Sequence, residues 1–267
     1  MSNSQPPAGR ALAPRRHEEI LKRLASVGSV SIAELAEFFE VSRETVRRDL
    51  KQLAQRGQLD LVHGGATRFE ANEPALDLRI EDNAEGKRAI GRAAAGLITD
   101  GMVVFLDSGT TTLAVAEALA GRRNLTICTT SLVIALLLCR QPETRVHMLG
   151  GEIDPAEEAA SGIDALDAIG RFRVDVAFLG GGGLSPDGEV TDFSRAGAEQ
   201  RSRMVTTAAK AYFVLDASKF GRLTPLRIPH FEQAAGVIVD IRPQLPICQA
   251  LARKGPQLIV ASEFLDL

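Results

Sequence analysis

Tryptophan is absent from the 267 residues, tyrosine occurs once and cysteine three times. Cys128, Cys139 and Cys248 stand far apart, with no C-x-x-C pair and no histidine at metal-ligand spacing. That pattern excludes a disulfide framework and offers no zinc site, and the three read as buried free thiols. The four histidines, His17, His63, His147 and His230, are equally scattered, so no metal, no cofactor and no catalytic histidine is expected. There is no uninterrupted run of 18 apolar residues, and residues 1–14 lack the basic-then-apolar order of a secretion signal. Neither a membrane span nor export is expected, and the chain reads as cytoplasmic.

What is present is the composition of an ordinary globular protein, 45% hydrophobic and 24% charged with a mean hydropathy of +0.02. The length suits one large domain or a small one joined to a larger one. Net charge is only −3, which taken alone argues against a nucleic-acid partner. The average hides an asymmetry: residues 1–56 carry ten basic and seven acidic residues, a surplus of +3, against −6 for the remainder.

Within that basic front, Ile20, Leu21, Leu24 and Val27 recur at helical spacing after Pro14, predicting a helix that ends near Gly28. Ser31-Ile32-Ala33-Glu34 reads as a capping box opening a short second helix, with Ile32, Leu35, Ala36 and Phe39 on one face. Ser42 then caps a third helix, which Gly57 is placed to end; Val46, Leu50 and Leu53 form its buried stripe. At about 100° per residue, Glu44, Arg48, Lys51 and Gln55 point away from that stripe, with Arg43, Thr45 and Arg47 at the flanks or first turn. A small bundle with a solvated charged face accounts for the charges alone. The order of the elements fits a helix-turn-helix, whose last helix enters the major groove.

The stretches Gly28-Ser29-Val30-Ser31-Ile32-Ala33-Glu34-Leu35-Ala36, Ser42-Arg43-Glu44-Thr45-Val46-Arg47-Arg48-Asp49-Leu50 and His63-Gly64-Gly65-Ala66 together resemble the DeoR family of bacterial transcriptional regulators. The resemblance implies that the second stretch is the recognition helix and that the segment through His63, Gly64 and Gly65 is a β-hairpin wing. The expected DNA-binding residues are Ser42, Arg43, Glu44, Thr45, Arg47, Arg48, Lys51, His63, Gly64 and Gly65, on double-stranded operator DNA. The family usually has an arginine two residues before the wing histidine; here that position is Leu61, beside Asp60, which predicts one phosphate contact fewer.

A polar stretch containing Glu73-Pro74 predicts a linker over 69–83, between a winged helix-turn-helix at 14–68 and a second domain at 84–267. In that second domain apolar runs at 102–106, 125–129, 146–149, 174–179, 212–215, 236–239 and 258–261 alternate with helical stretches, which predicts a mostly parallel α/β sheet. Ligands of such sheets sit beyond the strands' carboxyl ends. Asp107, Ser108, Gly109, Thr110 and Thr111 follow the first run and Thr129, Thr130 and Ser131 the second; Gly150 and Gly151 follow the third. Such turns either cap helices or cradle a phosphate. Asp216 and Lys219 follow the fifth run and suit a sugar hydroxyl and a phosphate.

With Val174-Asp175-Val176-Ala177-Phe178-Leu179-Gly180, these turns resemble the same family's sensor domain. The resemblance implies a Rossmann-like fold related to ribose-phosphate isomerase, with a phosphorylated sugar as effector. It makes Asp107, Ser108, Gly109, Thr110 and Thr111 a phosphate loop, Thr129, Thr130 and Ser131 a second wall, and Asp216 and Lys219 further polar contacts, while Gly150 and Gly151 either make a tight turn or let backbone approach the effector. The expected protein is a homo-oligomeric repressor of carbohydrate catabolism, relieved by that sugar. The alternative is a sugar-phosphate isomerase with an appended DNA-binding domain. Such isomerases follow the fourth strand with an acid-rich stretch, where this chain has Gly180-Gly181-Gly182-Gly183 and no group to move a proton. An aspartyl phosphatase would need a second aspartate at 109, which is glycine. No enzymatic activity is expected.

Overall fold

The computed structural model describes residues 13–27, 29–55, 58–62, 64–68 and 73–264. The chain divides into two compact units, one comprising 1–70 with 221–223 and the other 71–220 with 224–267.

The first unit runs α1 (Ala13–Val27), β1 (Ser29–Ser31), α2 (Ile32–Phe38), α3 (Arg43–Gln55), β2 (Leu59–Val62) and β3 (Gly65–Arg68). Both predicted caps form. Glu34 N donates to Ser31 Oγ at 3.0 Å while Ser31 N donates back to the Glu34 carboxylate at 3.4 Å, and Thr45 N donates to Ser42 Oγ at 3.1 Å. The apolar stripes meet in one core of Ile20, Leu24, Leu35, Phe39, Val46, Leu50, Leu53, Leu59 and Ala66. Burying each of the larger ones contributes about 1.5–3 kcal/mol. β2 and β3 form the wing hairpin and β1 pairs antiparallel with β3, so the connection after α1 becomes a third strand. Gly65 is required there: a Cβ would lie 2.0 Å from the Val30 carbonyl oxygen across the ladder.

The second unit runs α4 (Leu76–Ile80), α5 (Ala84–Ala95), β4 (Val103–Leu106), α6 (Thr110–Glu117), β5 (Thr126–Thr129), α7 (Leu132–Leu138), β6 (Arg145–Met148), β7 (Glu152–Asp154), β8 (Ala159–Ser161), α8 (Ile163–Ile169), β9 (Val174–Leu179), β10 (Gly183–Leu184), β11 (Val190–Asp192), α9 (Arg195–Thr207), β12 (Ala208–Leu215), β13 (Leu226–Arg227), β14 (Gly236–Val239), α10 (Leu245–Lys254), β15 (Gln257–Val260) and α11 (Ala261–Phe264). Seven strands form one parallel sheet in the order β15-β14-β12-β9-β4-β5-β6, and these are the seven apolar runs of the sequence. Alternate residues serve opposite faces. Phe105, Cys128, Ala177, Phe213 and Val237 join one core, and Val104, Ile127, Phe178, Val214 and Ile238 join the other, which is why the strands read as unbroken apolar runs.

Two expectations change. Residues 73–83, inside the stretch predicted as linker, carry α4 and belong to the second unit, because Leu76 is buried and its N–H donates to the Ala156 carbonyl at 2.8 Å. Of the three cysteines only Cys128 is buried, and burial pushes its thiol up to about 12. Cys139 is exposed where it closes α7 and Cys248 is half-buried in the first turns of α10.

Candidate nucleic-acid interface and effector crevice

On α3 the inward stripe leaves Arg43, Glu44, Arg47, Arg48 and Lys51 exposed, with Thr45 half-buried. Glu44 lies 3.4 Å from Arg47 and 3.9 Å from Arg48. Exposed pairs of this kind contribute about 1 kcal/mol at most, so the arginines can exchange that partner for phosphate. The hydroxyl of Ser42 is committed to the cap and lies 2.9 Å from Thr45 Oγ1. Gly64 makes the hairpin turn at φ +84° and its carbonyl accepts from Ile32 N at 2.8 Å, while Gly65 pairs with Ser31 and Val62. His63 lies outside the described residues. Leu61 holds the anticipated arginine position on β2, 49% exposed and paired with Ala66.

Asp49, the second acid of α3, is turned inward. The residue is only 4% exposed, and its carboxylate accepts from Arg16 Nε at 2.8 Å and Nη2 at 3.0 Å, with His17 Nε2 at 3.1 Å. It therefore ties α3 to α1 and subtracts nothing from the basic outer surface.

In the second unit the chain order of the sheet reverses between β4 and β9: β5 and β6 continue to one side, β12, β14 and β15 to the other. A crevice opens beyond such a switch point. Residues 108–112 follow β4, Gly180 and Gly181 follow β9, and Lys219 follows β12; these line one cavity together with Glu73, Arg79, Glu157 and Arg201. Gly109 precedes α6 at φ +126°, a conformation that a side chain disfavours, and no side chain caps the helix. The open N-terminus of α6 thus faces Lys219 and Arg79 across the cavity, a setting that attracts an anion. A second chamber of about 350 Å³ shares Glu73, Ser108, Glu157 and Arg201 and adds Asp154, Ser161, Asp192, Ser194 and Gln200.

Ser108, Gly109, Thr110, Thr111 and Lys219 are thus brought together, and the other predicted effector residues are not on these walls. Asp107 is buried; its Oδ2 accepts from Gly180 N at 3.0 Å and pairs with Arg201 Nε at 2.8 Å, fixing both sides of the switch point. Burial raises the Asp107 pKa against the opposing pull of Arg201. Asp216 is fully buried and accepts from Ser218 N at 3.0 Å and Asn83 Nδ2 at 3.2 Å. Thr129, Thr130 and Ser131 are buried on the far side of β4. Ser131 caps α7 through Ile134 N at 3.3 Å, and the Thr130 carbonyl accepts from Ala160 N at 2.8 Å. Gly151 allows close passage of Ser161, whose carbonyl oxygen would lie 2.2 Å from a Cβ there, and Gly150 precedes it.

Sequence reasoning picked out Lys219 but missed the other charged residues of the walls, Glu73, Arg79, Glu157 and Arg201. Arg79 places Nη2 2.7 Å from Glu157 and Nη1 3.1 Å from Glu73, and Lys219 Nζ lies 2.5 Å from Glu73. Arg201, inside α9, pairs with both Asp107 and Asp192. Burial alone would lower its pKa, but Asp107 and Asp192 more than offset that and leave it raised. Glu157 is raised by burial, against Arg79. Burial lowers Lys87, although Asp216 and Asp82 pull the other way; its ammonium donates to the Arg79 carbonyl at 2.6 Å and holds α4 in place. No strand-end rule points to a residue in the middle of a helix, and Glu73 and Arg79 lay in a stretch without apolar period.

Among the described residues no helix is long and apolar enough to cross a membrane. A family model described as a DeoR-like helix-turn-helix domain matches residues 16–72, and one described as a DeoR C terminal sensor domain matches residues 82–241. The glycerol-3-phosphate regulon repressor of Escherichia coli (strain K12) is 33% identical over 246 residues, 91% of this chain and 97% of that protein. The HTH-type transcriptional repressor CsqR of the same organism is 30% identical over 249 residues, 93% and 95% of the two chains. The HTH-type transcriptional regulator IolR of Bacillus subtilis (strain 168) is 29% identical over 226 residues, 84% and 90%. Among solved structures, ribose 5-phosphate isomerase A of Methanocaldococcus jannaschii is 21% identical, covering 52% of this chain and 55% of its own, with a TM-score of 0.39.

Proposed function

The chain belongs to the DeoR family of DNA-binding transcriptional regulators, and from that premise we propose that it represses carbohydrate genes until a phosphorylated sugar enters the crevice of its second unit. On this reading α3 lies in the major groove of double-stranded operator DNA. Arg43, Arg47, Arg48 and Lys51 meet bases and phosphates, and the wing at Gly64 and Gly65 approaches the backbone. Leu61 in place of a cation leaves the wing one phosphate contact short. A homo-oligomer pairs two such helices on operator half-sites, and the protein works in the cytoplasm with its DNA.

One observation carries the effector assignment: the uncapped N-terminus of α6 faces Lys219 and Arg79 across a single crevice at the switch point. A phosphate seated there gains backbone N–H donors and two cations, and the adjoining chamber offers Asp154, Ser161, Asp192, Ser194 and Gln200 to hydroxyl groups. The effector class is therefore a small polyhydroxylated phosphate ester. Regulation is favoured over catalysis because residues 180–183 are all glycine and the carboxylates of Glu73, Asp107, Glu157 and Asp192 are each engaged by Arg201, Arg79 or Lys219.

A thermal-shift comparison of sugar phosphates with the corresponding free sugars tests this, since a ligand of the native state raises the melting temperature. Stabilisation by a phosphorylated sugar and not by its free counterpart is expected. Equal shifts for the two, or none, would remove the phosphate seat and leave the DNA-binding assignment standing.

A further inference from the structure

The cations that a phosphate would need are already paired, and their partner comes from an unexpected place. Glu73 lies three residues after residue 70, where the first stretch of the DNA-binding unit ends, and six before Arg79. Its Oε1 accepts from Lys219 Nζ at 2.5 Å and lies 3.1 Å from Arg79 Nη1, and it lines both the α6 cavity and the adjoining chamber. With that carboxylate seated, the space beside the α6 N-terminus is about 20 Å³. That is room for a single water and not for a phosphoryl group.

We propose that Glu73 is the site's own ligand in the effector-free protein: a carboxylate, tethered to the segment that leads from the DNA-binding unit, which holds the phosphate seat until an effector's phosphate expels it. The proposal rests on the phosphate-seat reading above and adds how the seat is regulated. Charge favours the exchange. A phosphate monoester brings about −1.5 to −2 at neutral pH where a carboxylate brings −1, and it offers three acceptor oxygens.

The other charges in the crevice have second anchors. Arg201 keeps Asp107 and Asp192, and Arg79 keeps Glu157. Lys219 and one nitrogen of Arg79 are the groups that change partner. Once Glu73 leaves, the next ties along the segment are the Ala75 carbonyl, which accepts from Leu78 N at 3.2 Å, and the Leu76 N–H, which donates to the Ala156 carbonyl at 2.8 Å. Binding at the sheet is thereby transmitted to the segment that enters the second unit, without requiring the sheet itself to move.

The test uses the full-length protein and inorganic phosphate as probe. Hydrogen exchange over residues 73–80 is followed with and without saturating phosphate, and phosphate affinity is measured by calorimetry for the wild type, Glu73→Gln and Lys219→Ala. Three results are expected. Phosphate accelerates exchange at Leu76 and Leu78 in the wild type; Glu73→Gln shows that fast exchange without phosphate; and Glu73→Gln binds phosphate about tenfold more tightly. Unchanged or weaker phosphate affinity in Glu73→Gln, or unchanged wild-type exchange at saturation, would overturn the proposal. If Lys219→Ala abolishes phosphate binding while Glu73→Gln leaves it unchanged, the seat stands and the tether falls. If neither the wild type nor Glu73→Gln binds phosphate or any sugar phosphate, both fall together. The wild-type exchange measurement needs no variant, so it decides the matter even if a substitution impairs folding.

Discussion

Asp49 illustrates what a residue's chemistry leaves open until its neighbours are known. In sequence it is an acid within a basic helix and counts against nucleic-acid binding; in the fold it is the buried partner of Arg16 and His17. Removing one member of a buried ion pair leaves the other charge uncompensated, which is costly. Asp49→Ala is therefore expected to lower the unfolding free energy of the first unit by about 3 kcal/mol, read as a fall in denaturant midpoint at unchanged slope. A loss below about 1 kcal/mol, the range of a surface pair, would show that the contact does not staple α3 to α1. The heptapeptide Val174-Asp175-Val176-Ala177-Phe178-Leu179-Gly180 shows the opposite case, since its apolar residues alone announced a strand, and β9 is that strand.

At the scale of the element, local rules were reliable where the signal is local. The capping box of α2, the Ser42 cap of α3 and the seven strand positions depend on neighbours within a few residues, and each forms as read. The two similar turns after β4 and β5 separate here. Ser131 spends its hydroxyl on capping α7, the ordinary use of such a residue, whereas α6 begins at Gly109 with no side-chain cap and its first turn lies on a cavity wall. The outer surface of α3 supplies the prediction at this scale. Arg48 is three-quarters exposed and, among the described residues, forms an ion pair only with Glu44, so Arg48→Ala should leave the melting temperature unchanged. It should weaken operator binding by about 1–3 kcal/mol, roughly ten- to a hundredfold, in a titration at fixed salt. Retained affinity would show that α3 is not the reading helix.

For the whole molecule, the division of charge matches the division of labour: a basic surplus in the residues that carry the helix-turn-helix, an acidic excess in the rest. Repression that a sugar phosphate relieves requires the effector to bind the DNA-free arrangement more tightly than the DNA-bound one, and that coupling is reciprocal. Operator DNA should weaken sugar-phosphate binding by the same factor by which the sugar phosphate weakens operator binding, about tenfold or more. Calorimetric titrations with and without operator check this. A factor of one in both directions would end the release mechanism while leaving both binding sites in place.

The sequence by itself determined the two-unit order, the three helices and wing of the first unit, the strand positions of the second and the family, because each depends on periodicity, caps or contiguous motifs. Only the tertiary structure decided which strand ends share a crevice. Strand order is set by how helices cover both faces of the sheet, and no short stretch of chain encodes it. Placing β9 beside β4 put residues 108–112 opposite Lys219 and left Thr129, Thr130 and Ser131 behind β4. The same folding brought Arg201 from the middle of a helix, and Glu73 and Arg79 from a supposed linker, to the cavity wall. A charge on a polar stretch carries no sign of burial until a partner more than a hundred residues away, here Lys219, arrives to neutralise it.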